Sequence, residues 1–158
     1  MRKVLANTTP LIALANIDRL DLLHQLYGTI IVPQAVIDEI IREPAKHRVR
    51  ECPWITLQAI QDPSMKDVFR ARLHAGEVEV IILARELQAD LVIMDDDAAK
   101  KTARFFGQRV TGTMGVLLKA KREGYLDEVR PVMNALERDG FFISETVKAY
   151  VLREAGEC

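Results

Sequence analysis

The stretch Gly76–Asp97, GEVEVIILARELQADLVIMDDD, constrains what this chain can fold into more than any other. Val78, Val80, Ile81, Ile82, Leu83, Ala84 and Leu87 make its first half apolar almost all round, which predicts a largely buried helix. Leu91–Met94 is a continuous apolar run, as expected of a central parallel strand covered on both faces. Asp95, Asp96 and Asp97 then fall at the strand's carboxyl end, the edge where open α/β sheets bind ligands.

The rest of the chain repeats this alternation of short strands and helices. Lys3–Ala6 reads as a first strand, and Asn7-Thr8-Thr9-Pro10 as a helix start with hydroxyl caps and an early proline. Leu11–Ala15 continues that helix; Asp18 is expected to cap a second one, with Leu20, Leu22, Leu23 and Leu26 inside and Gly28 at its end. Thr29–Val32 is a β-branched strand, and Pro33 opens a helix lined by Val36, Ile37, Ile40 and Ile41. From Arg42 to Trp54 the periodicity fades, predicting an exposed loop. A weaker strand at Ile55–Ile60 and a modest helix from Pro63 to about His74 precede Gly76. After the aspartates, Ala99, Thr102, Ala103 and Phe106 give helical spacing up to Gly107, and Gln108–Val110 reads as another strand. Helices are expected after Thr113, over Leu126–Glu137 and over Ser144–Ala155. One α/β domain spanning residues 1–158, with helices flanking a short, mainly parallel sheet, accounts for this pattern.

Composition narrows the function classes. At 158 residues, the chain should bury roughly 68–70% of its unfolded surface, enough for a core without staples. Lys and Arg number 22 against 23 Asp and Glu, a net charge of −1, so any nucleic-acid contact needs a local basic patch. Cys52 and Cys158 lie in neither a CxxC nor a His-paired spacing, which argues against zinc and fits a reducing cytoplasm. No signal-peptide core or membrane-length apolar run is present, so a cytoplasmic protein without membrane attachment is expected.

If the first strand neighbours the strand at Leu91, Asn7 and Asp95 meet at one edge. Glu77 can approach it, and so can Glu39 if its helix leans over that edge. Carboxylates brought so close repel one another and are best tolerated around a hard cation. Each also has a structural reading: Asp95–Asp97 and Glu77 as first-turn acids, Asn7 as a cap, Glu39 on a solvated helix face. A receiver-like phosphoacceptor is the third alternative, disfavoured because the first strand ends in Asn7-Thr8 rather than an acidic pair.

Four ordered segments, NTTPLIALANIDRLDLLHQLYG, IIVPQAVIDEII, GEVEVIILARELQADLVIMDD and VTGTMGVLLKAKREG, resemble the PIN-like proteins over nearly the whole chain. The resemblance is closest to a prokaryotic branch that begins Asn/Asp-Thr-Ser-Pro-Leu-Ile. It implies a three-layer α/β sandwich and a Mg²⁺- or Mn²⁺-dependent endoribonuclease, of the kind found as VapC-type toxins held by a small antitoxin protein and often homodimeric. It implies Glu39, Glu77 and Asp95 as catalytic acids, and Asn7, Glu39, Glu77, Asp95 and Asp97 as metal ligands. Asp95 is preferred over Asp96 and Asp97, which are left to capping or support. Thr8, Thr9, Lys100, Lys101, Arg104 and Lys121 are the expected RNA contacts. Asn7 departs from the family's first aspartate, which keeps open a module that binds RNA or a protein without cutting.

Overall fold

Strands β1 (Val4–Ala6), β2 (Ile30–Val32), β3 (Ile55–Leu57), β4 (Leu91–Ile93) and β5 (Val110–Thr111) form one parallel sheet in the order β3-β2-β1-β4-β5. The computed structural model that shows this describes residues 2–69 and 73–158. β1 and β4 are central and buried throughout, which explains their unbroken apolar runs. In their register Val4 pairs with Leu91, Leu5 with Val92 and Ala6 with Ile93. The Asn7 N–H extends the ladder to the Ile93 carbonyl at 2.8 Å.

Helices α1 (Thr8–Asn16), α2 (Asp21–Tyr27), α3 (Gln34–Glu39), α4 (Ala45–Arg50), α5 (Lys66–Phe69), α6 (Ala75–Leu87), α7 (Asp97–Phe105), α8 (Thr113–Arg122), α9 (Arg130–Arg138) and α10 (Glu145–Glu154) complete the α/β sandwich. α3 and α4 pack on α1, and α3 also lies along α6; α2 and α10 pack on α8. Glu79 ties α6 to α3, accepting the Ala35 N–H at 3.1 Å and pairing with Lys66 at 3.0 Å. No described helix is long and apolar enough to cross a membrane.

Several expectations change. The loop expected from Arg42 to Trp54 contains α4, whose buried positions are only Ala45 and Val49. Asp18 does not cap α2. It has a φ of 59° and closes α1 instead, its N–H on the Ala15 carbonyl (3.1 Å) while the Arg19 N–H reaches Leu14 (2.8 Å). That is the two-bond helix ending normally given to glycine, and a short polar side chain tolerates its left-handed backbone. Gly107, at φ 77°, closes α7 in the same way. The helix expected over Leu126–Glu137 starts only at Arg130, and the strand expected to reach Ile60 stops at Leu57. Of the helix expected from Pro63 to His74, a 3₁₀ turn (Pro63–Met65) and α5 are seen, while residues 70–72 lie outside the described residues.

Lys121 is also corrected. Its ammonium donates to the Ala155 carbonyl and to Glu157 Oε2 (2.8 Å), so it binds the end of the chain to α8 and is not presented as an RNA contact. Burial alone would push Glu157 up, but Lys121 and the N–H groups of Val129 and Arg130 outweigh it and hold the carboxyl down at about 2. A carboxyl depressed on folding contributes stability above its ordinary value of 4.5 and loses it as pH falls towards 2. Glu157→Gln is therefore expected to lower stability by about 2 kcal/mol at pH 7, the scale of a lost hydrogen bond to a charged group. Thermal melts should show the gap between wild type and variant closing below pH 4; a gap independent of pH would contradict this.

Candidate active site

Because every strand is parallel, β1 and β4 end on the same edge, and the chain leaves each of them into a polar segment. Asn7 follows β1 directly. It stands at the cap position of α1, yet its side chain makes no capping bond. The residue is 4% exposed, and its Oδ1 has no hydrogen-bond partner among the described residues. A buried amide oxygen left open is uncommon, because its desolvation is uncompensated.

Glu39, at the last position of α3, leans over this edge as the resemblance requires. Its Oε1 accepts the Thr8 hydroxyl at 2.6 Å and its Oε2 the Gly76 N–H at 3.0 Å. Glu77 sits in the first turn of α6 and is 6% exposed. Its Oε1 takes the His74 N–H at 3.0 Å, the reciprocal half of a capping box. One oxygen thus anchors the side chain as a cap, and the second has no bond among the described residues.

The three aspartates separate clearly. Asp95 is gripped on both oxygens by buried Thr113, Oδ1 by its N–H (2.8 Å) and Oδ2 by its hydroxyl (2.7 Å). Asp96 caps α7 through Oδ2, which accepts the Ala99 N–H at 3.0 Å, leaving Oδ1 without a bond. Asp97 is exposed in the first turn of α7. Burial pushes the Glu77 carboxyl above its ordinary range; the His74 N–H opposes this, while the charges of Asp96 and Glu39 add to it. Among the three aspartates it is Asp96, exposed like Asp97, whose charge acts on Glu77. Sequence gave no signal for this, since three successive identical side chains differ only in where the turn aims them.

The expected RNA contacts divide as well. Lys100, in α7, brings its ammonium to the space before Gly112: a Cβ built there would lie 3.2 Å from its Nζ and 2.8 Å from Asp95 Oδ1. Lys101 and Arg104 are exposed on the same helix. Thr8 serves Glu39, whereas Thr9 lines a cleft with Ile12, Asn16 and Phe141. A cleft of about 710 Å³ beside Arg19, Tyr125 and Pro131 contains none of the site residues.

Among the described residues no three His, Cys, Asp or Glu side chains already form a cage for an ion. The donors nevertheless fit a hard divalent cation in kind. They are all oxygen, three of them lack a hydrogen bond (Asn7 Oδ1, Glu77 Oε2 and Asp96 Oδ1), and Glu77 is repelled by its acidic neighbours. The raised Glu77 carboxyl makes the folded state lose stability as pH rises from 4.5 through the raised value, because the buried group must ionise. Glu77→Gln is accordingly expected to melt above wild type in chelator at pH 7–8, with the difference shrinking towards pH 4. A variant melting below wild type at pH 8 would refute it.

No curated protein matches the chain. A family model described as a PIN domain matches residues 3–157, all but the two ends. With that span, a parallel sheet, and acids gathered beyond β1 and β4, the chain belongs to the PIN domain family.

Proposed function

We propose that this protein is a Mg²⁺- or Mn²⁺-dependent endoribonuclease, acting in the cytoplasm as the toxin of a toxin–antitoxin pair. The observation that carries the reading is Glu77, a buried carboxylate facing two further acids, with none of the three in an ion pair among the described residues. Such a group calls for a proton or a cation, and the oxygens around it suit a hard divalent ion.

In this reading Glu77, Asp96 and Asn7 Oδ1 would hold the ion, with Glu39 beside them. When bound, the ion supplies an activated water and screens charge developing on the phosphate. Thr8 and the Gly76 N–H fix Glu39, and the His74 N–H fixes Glu77. Thr113 fixes Asp95 beside Lys100, so Asp95 acts as a positioning residue. Lys100, Lys101 and Arg104 attract the RNA backbone to the α7 side of the edge. A small antitoxin protein and a homodimer belong to the same proposal, carried by family membership.

A second reading is favoured by Asn7 alone. With an amide where the family carries its first acid, the fold would bind RNA or a protein without cutting. The assay compares wild type, Asn7→Asp, Asp95→Asn, Asp96→Asn and Glu77→Gln on mixed RNA with Mn²⁺. Glu77→Gln and Asp96→Asn should abolish cleavage, whereas Asp95→Asn should lower it about 10- to 100-fold, as expected of a residue acting through its neighbours. Full activity in Glu77→Gln would sink the nuclease reading. An inert wild type that still binds RNA, with activity appearing in Asn7→Asp, would establish the second.

A further inference from the structure

Five glycines of this chain, at positions 28, 107, 124, 140 and 156, have positive φ and open space where a Cβ would stand. Gly76, Gly112 and Gly115 are the reverse case, with backbones any residue adopts and no room for a side chain. A Cβ on Gly76 would fall on Glu39 Oε1, 2.9 Å from Glu39 Cδ and 3.1 Å from Thr8 Oγ1. At Gly112 it would lie 2.8 Å from Asp95 Oδ1 and 3.5 Å from the Met94 carbonyl. Gly76 and Gly112 each face one carboxylate of the acidic edge, whereas Gly115 faces the Thr111 hydroxyl. Gly76 lies inside α6, where helix propensity alone would favour alanine.

We propose that Gly76 is a positioning residue of the acidic site. The space left by its missing side chain, together with its N–H, holds the Glu39 carboxylate against Thr8. Gly112 leaves the matching space for Asp95, whose oxygens are held by the N–H and hydroxyl of Thr113. The inference rests on the nuclease reading for its purpose, but its geometry stands independently. Glu39 is the tip of a flexible side chain, so a methyl group at position 76 displaces the carboxylate without displacing backbone. The fold then survives while the site is lost, which separates positioning from a packing requirement. Shortening the acid should compensate: aspartate at position 39 withdraws the carboxylate by one carbon–carbon bond, about 1.5 Å.

The test uses full-length wild type, Gly76→Ala, Glu39→Asp and the double variant, with Mn²⁺ alone as ligand. Gly76→Ala is expected to melt at or above the wild-type temperature. Its crystal structure should show the Glu39 carboxylate off the Thr8 hydroxyl, and Mn²⁺ affinity by calorimetry should fall about tenfold, as for lost supporting contacts. In the double variant, affinity should recover beyond that of Gly76→Ala. The proposal is overturned if Glu39 remains on Thr8 in Gly76→Ala, if that variant binds Mn²⁺ like wild type, or if Glu39→Asp only deepens its loss. Should wild type bind no Mn²⁺ and cut no RNA, the nuclease reading falls, and the position of Glu39 in the Gly76→Ala crystal still decides the positioning claim.

Discussion

The parallel pairing of β1 with β4 is the interaction on which the remaining structure depends. With Ala6 opposite Ile93, and the Asn7 N–H on the Ile93 carbonyl, both strands stop together and release a polar segment at the same edge. β1 and β4 are buried on both faces, so the ladder of paired residues fixes the register rather than any alternation of polar and apolar side chains. β2 on the far side of β1 sends α3 over the same edge. α6, which leads into β4, begins there. Four separate stretches of chain thus deliver oxygen atoms to one place, and the apolar core decides where that place is.

What fixes those oxygens is a set of short-range neutral donors. Glu77 takes the His74 N–H, Asp96 the Ala99 N–H, Asp95 the N–H and hydroxyl of Thr113, and Glu39 the Thr8 hydroxyl and Gly76 N–H. Hydrogen bonds of this kind orient a carboxylate and leave its charge in place. Each anchoring bond also caps a helix or joins two elements, so folding and site assembly draw on the same contacts. A lysine or arginine in these roles would have neutralised the edge.

Much of this was legible in the residues, for identifiable reasons. β1 and β4 announce themselves because burial on both faces demands unbroken apolar runs, and Glu39 and Glu77 stand where the PIN resemblance puts acids. α4 was missed because it presents only Ala45 and Val49 to the core. Its place depends on packing against α1 and on Arg48 reaching the Ala15 carbonyl. Lys121 was misread because its partner, Glu157, lies 36 residues further on, and a basic run on a helix face looks the same whether solvated or engaged. The order of the three aspartates was invisible for a different reason: it is decided by the dihedral angles of the turn between β4 and α7 and by Thr113, which no local pattern encodes.

Asn7 bears on the same electrostatic balance. Glu77 is already driven towards its neutral form by burial and by the charges of Asp96 and Glu39. An aspartate at a position 4% exposed would add another negative charge to this edge and bury it. The amide keeps an open oxygen facing the edge and omits the charge. It therefore spares the fold the burial of a further charge. With four acids of this edge held by N–H and hydroxyl donors, the neutral side chain at position 7 limits how far the edge can be charged before the fold resists it.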